Sequence, residues 1–378
     1  MDKINQDNKP EDIISGTVPS ARRSGTAGVR QGGHILITGG AGFIGTNLAQ
    51  RLLSEGENVL VYDNLSRRGS EQNLLWLREV NNDRLRVEIA DVCDLNSLRK
   101  AVKDAKQVFH LAAQVAVTSS LLDPIHDFES NLRGTLNLLE ALRALENPPP
   151  MVFTSTNKVY GPLTELNLRK NGTRYESMSG LHGSISEDYP IMFHSPYGCS
   201  KGAADQYVAD YVRVFGLKAV VFRMSCIYGP HQFGTEDQGW VANFLIRAIR
   251  GNPITVYGDG MQVRDLLFIE DLVDAFLLAQ SHMARISGEV FNIGGGMRNT
   301  MSLLELLTYI GEMLPETPPA RFDGWRSGDQ RYYVTDYRKF KAATGWAPRT
   351  GARQGLEILY EWLAAAGKKS QPVHARKA

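Results

Sequence analysis

From residue 34 onward, short apolar runs alternate with stretches in which apolar residues recur every three or four positions. His34-Ile35-Leu36-Ile37-Thr38 is apolar enough for a strand covered on both faces. Ile44, Leu48 and Leu52 then recur at helical spacing. Further buried strands are predicted over 58–62, 85–90, 107–111, 151–156 and 219–223. A helix is predicted over 127–146, with Leu132, Leu136 and Leu139 along one face and Pro148, Pro149 and Pro150 closing it. Another is predicted to follow Tyr197, with Ala203, Tyr207, Tyr211 and Phe215 as its apolar stripe and Gly216 as its stop. Strands that alternate with helices in this way predict an α/β chain wound around a parallel sheet. From Pro162 to Phe193 the pattern is polar and irregular, which predicts a long loop. Residues 1–31 have no usable period and are predicted to be a disordered extension.

The first strand runs into Gly39-Gly40-Ala41-Gly42-Phe43-Ile44-Gly45, and the first helix follows at once. Strand, glycine turn and helix in register predict a dinucleotide site of the Rossmann kind. Gly39 permits the tight turn, Gly42 allows a pyrophosphate near the backbone, and Gly45 allows close helix packing. Phe43 and Ile44 lie within the turn, where helix N–H groups face phosphate oxygens. The second strand ends in Asp63, placed to hold a ribose diol, with Asn64 beside it. An acid there favours NAD over NADP, although Arg67 and Arg68 stand close by. Asp91 and Val92 end the third strand and are expected at the adenine. Leu111, Ala112 and Ala113 end the fourth, where small residues let a dinucleotide approach. His110 is expected to be a packed strand-end histidine, and Asn131 is expected either to cross-brace the site or to stand as a surface amide.

Tyr197 and Lys201 are four residues apart at the start of a helix, so both side chains face one ligand. An ammonium beside a phenol favours the phenolate, so Tyr197 is a candidate base and Lys201 its activator. Thr156 ends the strand 151–156 at a carboxyl edge, where open α/β sheets bind ligands, and can bond a substrate hydroxyl and the phenol. Arg264 and Arg326 are candidate phosphate clamps, since a planar guanidinium matches phosphate oxygens.

The 378 residues carry 42 basic and 41 acidic side chains, so no global field draws the chain to nucleic acid or a membrane surface. Cys93, Cys199 and Cys226 are too few and scattered for a disulfide framework or a zinc site. They are read as free thiols of a cytoplasmic protein. No metal is expected. A small-molecule partner remains.

Taken together, residues 39–45, Asp63-Asn64-Leu65-Ser66, residues 110–116, the Thr156 strand and residues 197–201 resemble the extended short-chain dehydrogenase/reductases, from about residue 33 to about 362. The resemblance implies NAD on a Rossmann domain (32–225, with 262–282 packed back on it). It also implies a smaller substrate part (226–261 and 283–366) and a basic tail (367–378). Its catalytic residues fall on Thr156, Tyr197 and Lys201. Its diphosphate arginines fall on Arg264 and Arg326, and Cys226 replaces an asparagine common at that contact. Gln114, Asn157 and Lys158 are expected near the sugar. Residues 155–161, 194–207, 237–240, 262–265 and 327–331 are most similar to CDP-sugar 2-epimerases of the paratose and tyvelose type. That implies a CDP-hexose inverted at carbon 2. A 4-epimerase would use the same residues. A 4,6-dehydratase needs an Asp-Glu pair after the threonine, where Asn157 and Lys158 stand, and decarboxylases commonly have glutamate at Lys158. A non-catalytic NAD-binding protein is the remote alternative. Related enzymes pair through two long helices, here 127–146 and 195–215, so a homodimer or homotetramer is expected.

Overall fold

In the computed structural model, residues 33–81, 83–178, 183–316 and 318–369 are described, with side chains to 365. The expected extension 1–31 and the tail beyond 369 lie outside them. Seven strands form the central sheet: β1 (His34–Thr38), β2 (Val59–Asp63), β3 (Leu85–Ile89), β4 (Ala105–His110), β5 (Met151–Thr156), β6 (Ala219–Met224) and β7 (Val290–Ile293). All pair in parallel, in the order β7-β6-β5-β4-β1-β2-β3.

Alternate residues of these strands feed two cores. Ile35, Ile37, Val59 and Val61 face the helices Phe43–Ser54, Ser70–Val80 and Ile269–Ile286. Leu36, Leu60, Val108 and Phe153 face Leu95–Val102, Gly134–Arg143 and Ser195–Phe215. Burial on both faces explains why the strands read as unbroken apolar runs. The winding reverses between β1 and β4, so the helices after them leave on opposite faces and open a crevice at the strands' carboxyl ends.

Four readings change. β7 belongs to the main sheet, paired with β6 from Val290↔Val221 to Ile293↔Met224, so 283–366 is not wholly a substrate part. The expected helix 127–146 is Pro124–Phe128, a π-turn Glu129–Arg133, and Gly134–Arg143, with Asp123 capping its start. Within the expected irregular loop, Leu168–Asn171 and Arg174–Ser177 pair as an antiparallel hairpin. Its signal was Asn171-Gly172, with Gly172 at φ 56°, in the left-handed region such a turn needs. On Ser195–Phe215 the buried face is Tyr197, Lys201, Ala204, Asp205, Val208 and Tyr211, while Tyr207 and Phe215 of the expected stripe are exposed.

Beyond the main sheet, Cys226–Tyr228, Val263–Phe268, Thr300–Ser302 and Tyr332–Tyr333 form a four-stranded sheet. Ile254–Tyr257 pairs with Ala320–Asp323. Of these segments, Cys226, Ile227, Thr255, Tyr257 and Arg264 border the crevice.

Candidate functional site

The glycine turn has the shape a dinucleotide requires. Gly39 has φ 70°, and a Cβ there would lie 2.7 Å from the Ala112 nitrogen. A Cβ on Gly45 would lie 2.3 Å from the Gly39 oxygen, so the helix sits directly on the turn. Gly42 caps the helix with no side-chain bond, and the first turn holds no acid, so its N–H groups are left for phosphate oxygens. Asp63 accepts from the Ala41 nitrogen at 3.0 Å and the Leu65 nitrogen at 2.8 Å. Burial lifts its carboxyl above the ordinary value against the N–H groups of Leu65 and Ala41. Two held oxygens still have lone pairs for a ribose diol. Asn64 donates to Asp91 at 2.7 Å, joining the ends of β2 and β3. Val92 is buried against Gly134. Leu111 and Ala112 hang from Thr38, and Ala113 is half-buried beside them. Glycine turn, uncapped helix start and ribose acid therefore fit NAD.

His110 is fully committed. Its ring bonds Thr38 at 2.6 Å and Thr135 at 3.0 Å, and burial, helped by the charge of Lys201, pushes its pKa down to about 3. It packs as a neutral strand-end histidine, as expected.

A cavity of about 330 Å³ lies above these strand ends. Phe43, Ile44, Thr156, Asn157, Lys158, Tyr197, Cys226, Arg264 and Arg326 all border it, so residues spread over nearly 300 positions meet. Tyr197 and Lys201 are both buried, one helical turn apart. Their electrostatics differ from expectation. Burial raises the phenol above its ordinary value. The Thr156 hydrogen bond and the Arg67 charge oppose that, and Asp127 adds to it. The Lys201 ammonium is directed to the Thr154 carbonyl, to which it donates at 2.7 Å. Burial brings Lys201 itself down to about 8, against the carboxylates of Asp205 and Asp127.

The helix Ser195–Phe215 is braced from behind. Ser200 bonds Asp127, and Asn131 donates to Ser200 at 3.0 Å and to Asp127 at 3.1 Å. The π-turn at 129–133 points Asn131 into this network. Gln114 belongs to the brace, with its amide shared between Ala116 and Asp127 at 2.8 and 2.9 Å, and does not border the cavity.

Lys158 donates to the Gly328 carbonyl at 3.1 Å and lies 4.0 Å from Asp329, and burial brings its pKa down to about 8. Asn157 reaches Gln330 at 3.5 Å. Arg264 is buried and pairs with Asp329 at 2.9 Å while donating to the backbone of Val263 and Gln330. Arg326 lies 3.7 Å over the Tyr257 ring and donates to the Glu236 carbonyl at 2.8 Å. Cys226 accepts from the Trp240 indole at 3.5 Å, and burial raises its thiol pKa. Sequence reading missed Asp329, which holds Lys158 and Arg264, and did not foresee that Arg67, named only as a neighbour of the ribose acid, bonds Gln238 at 2.8 Å across the crevice. Neither carries a local signal. All three cysteines are free. Among the described residues no acidic, histidine or cysteine cluster could hold a metal, and no helix is long and apolar enough to cross a membrane.

Comparison with known proteins gives concordant findings. Residues 35–294 match the NAD dependent epimerase/dehydratase family. A CDP-paratose 2-epimerase of Salmonella typhi is 43% identical over 88% of this chain and 99% of its own. A UDP-glucose 4-epimerase of Thermotoga maritima, solved with UDP-glucose, is 32% identical with a TM-score of 0.74, over 88% of this chain and 99% of its own. A UDP-glucuronic acid 4-epimerase of Bacillus cereus, solved with UDP-glucuronic acid and NAD, is 28% identical with a TM-score of 0.76 over the same shares.

Proposed function

The chain belongs to the NAD dependent epimerase/dehydratase family, and we propose that within it this protein inverts carbon 2 of a CDP-hexose through a transient keto-sugar. The observation that carries an epimerase reading is the turn after Thr156. Asn157 and Lys158 border the cavity there, where elimination of water would need a carboxylic acid and a carboxylate. Oxidation and re-reduction need neither. The choice of carbon 2 and of cytidine draws on the likeness to the Salmonella typhi enzyme.

NAD, when bound, supplies the hydride acceptor and returns the hydride. Tyr197, as the phenolate, takes the proton of the sugar hydroxyl as its carbon is oxidised, and gives it back on re-reduction. Because burial disfavours the phenolate, the Thr156 hydrogen bond and the charge of Arg67 must offset that cost before the proton is taken. Lys201 has donors beyond the Thr154 carbonyl for a cofactor ribose. Arg264, Arg326 and Lys158 supply positive charge for the diphosphate and sugar. Inversion requires the flat keto-sugar to present its other face, so the cavity must hold the nucleotide end and leave the sugar free to turn.

Proton NMR of the purified protein with CDP-, UDP-, GDP- and dTDP-hexoses, with no cofactor added, tests this. Inversion at carbon 2 of a CDP-sugar is expected. Inversion at carbon 4, or loss of water, would overturn the carbon assignment and the role given to Asn157 and Lys158.

Self-association is part of the same reading. Ile125 and Phe128 on Pro124–Phe128, and Tyr207, Val214 and Phe215 on Ser195–Phe215, are exposed at or beside the helices expected to pair. Light scattering is expected to give a dimer or tetramer, and Ile125→Glu with Val214→Glu to give a monomer. A monomeric wild-type protein would remove the idea.

A further inference from the structure

Arg67 follows the ribose acid Asp63 by four residues, and its side chain reaches across the crevice to donate to the Gln238 side-chain oxygen at 2.8 Å. Gln238 borders the cavity together with Phe43, Ile44 and Tyr197. The charge of Arg67 also favours the Tyr197 phenolate, which sets the guanidinium between the ribose acid and the phenol. The two sides it joins are fastened elsewhere too. Asn73 donates to the Ala41 and His231 carbonyls at 3.2 Å each, and Asn47 to the Phe43 and Pro230 carbonyls at 2.9 and 3.0 Å. A Cβ on Gly69 would lie 2.2 Å from the Phe233 ring. Residues 230–238 are therefore held against the glycine turn and the loop after β2. Arg67 itself is exposed, and one hydrogen bond between exposed side chains adds little to stability. The bond gains a use when a ligand lies beneath it.

We propose that Arg67 clasps the diphosphate of NAD, with Gln238 holding the guanidinium over it. A dinucleotide with its adenosine ribose at Asp63 and its nicotinamide end at Tyr197 carries its diphosphate between them, over the start of the helix Phe43–Ser54. That is the stretch Arg67 crosses. Helix N–H groups face the phosphates from below, and a cation from above completes the neutralisation. The Gln238 bond uses one of the five guanidinium donors, and the planar fork suits phosphate oxygens. An arginine serving the 2′-phosphate of NADP would stand at the ribose, whereas this one is anchored on the far side of the crevice. Thr235 and Gln238 exchange backbone hydrogen bonds of 2.9 and 3.3 Å, and the Glu236 carbonyl between them accepts from Arg326 at 2.8 Å. One turn thus anchors a cation for the cofactor diphosphate and another for the substrate. An epimerase returns its NAD to the starting state in every cycle, so a clasp that slows its release costs no turnover.

The test follows release of bound NAD from the full NAD-loaded chain during dialysis, read as cofactor content of the denatured protein. Arg67→Ala is expected to release NAD roughly 10- to 100-fold faster than wild type, the worth of a hydrogen bond to a charged group. Arg67→Lys is expected to fall between, because an ammonium keeps the charge and loses the fork. Equilibrium competition against NAD by ADP and by adenosine separates the diphosphate from the rest of the cofactor. Arg67→Ala is expected to weaken ADP by a similar factor and to leave adenosine unchanged. Equal weakening of ADP and adenosine would show a structural role of the loop and overturn the proposal, as would unchanged NAD release. Weakening of NADP alone would put Arg67 at the ribose and overturn it too. Should Arg67→Ala prove unstable, Arg67→Gln, which keeps length and polarity, is read by the same outcomes. No sugar enters these measurements, so they stand apart from the carbon and base proposed above.

Discussion

Tyr197→Phe is expected to lower turnover by about 10²–10⁴-fold, the usual worth of a positioned acid–base group, while bound NAD stays near the wild-type amount. The ring is 92% buried (8% exposed) between helix and cavity, and phenylalanine fills the same space. Only the oxygen that exchanges the proton and meets Thr156 is lost. The turn at Gly39–Gly45 and the acid Asp63 are untouched, so cofactor content, read from the denatured protein, separates chemistry from binding. Near-wild-type turnover would remove Tyr197 as the acid–base group.

Asp205→Ala is expected to cost about 3–5 kcal/mol of stability, as removal of one partner from a buried ion pair does. Asp205 holds Arg223 through two bonds of 2.8 and 3.0 Å, and their side chains are 1% and 4% exposed. Arg223 also donates to the Tyr160 hydroxyl at 3.1 Å, which itself donates to Asn292 at 2.7 Å. The network thus ties the helix Ser195–Phe215 to β6, β7 and the turn after Thr156. Burial pulls the guanidinium pKa down, but the Asp205 bond and charge prevail and hold it above the ordinary value. Without Asp205 the cation is buried alone. A urea midpoint checks the loss, and Asp205→Leu with Arg223→Met should recover most of it, since apolar replacement of a buried pair is often neutral. An unchanged midpoint in Asp205→Ala would mean that the pair adds nothing.

How much of this could be read along the chain depends on the range of each interaction. The glycine turn was legible because strand, tight turn and helix start are consecutive, and each glycine answers a local steric demand. Tyr197 and Lys201 were legible because four residues on a helix fix their common face. The hairpin at 168–177 carried a local signal in Asn171-Gly172 that the polar composition obscured. The stripe Ala203, Tyr207, Tyr211, Phe215 misled because helical spacing identifies an apolar face without saying what covers it.

By itself, the sequence determined the doubly wound sheet, the dinucleotide turn with Asp63, and the identity of Thr156, Tyr197 and Lys201, because period, turn chemistry and short spacing act within a few residues. Tertiary structure alone decided which partners those groups meet. Lys201 faces the Thr154 carbonyl 47 residues away, Arg264 is held by Asp329 65 residues away, and Gln114 is drawn into the brace behind the helix. It also set the burial that lifts the Tyr197 phenol and carried Arg67 across the crevice to Gln238. Desolvation and long-range pairing depend on which segments the fold packs together, and no local pattern of residues encodes that.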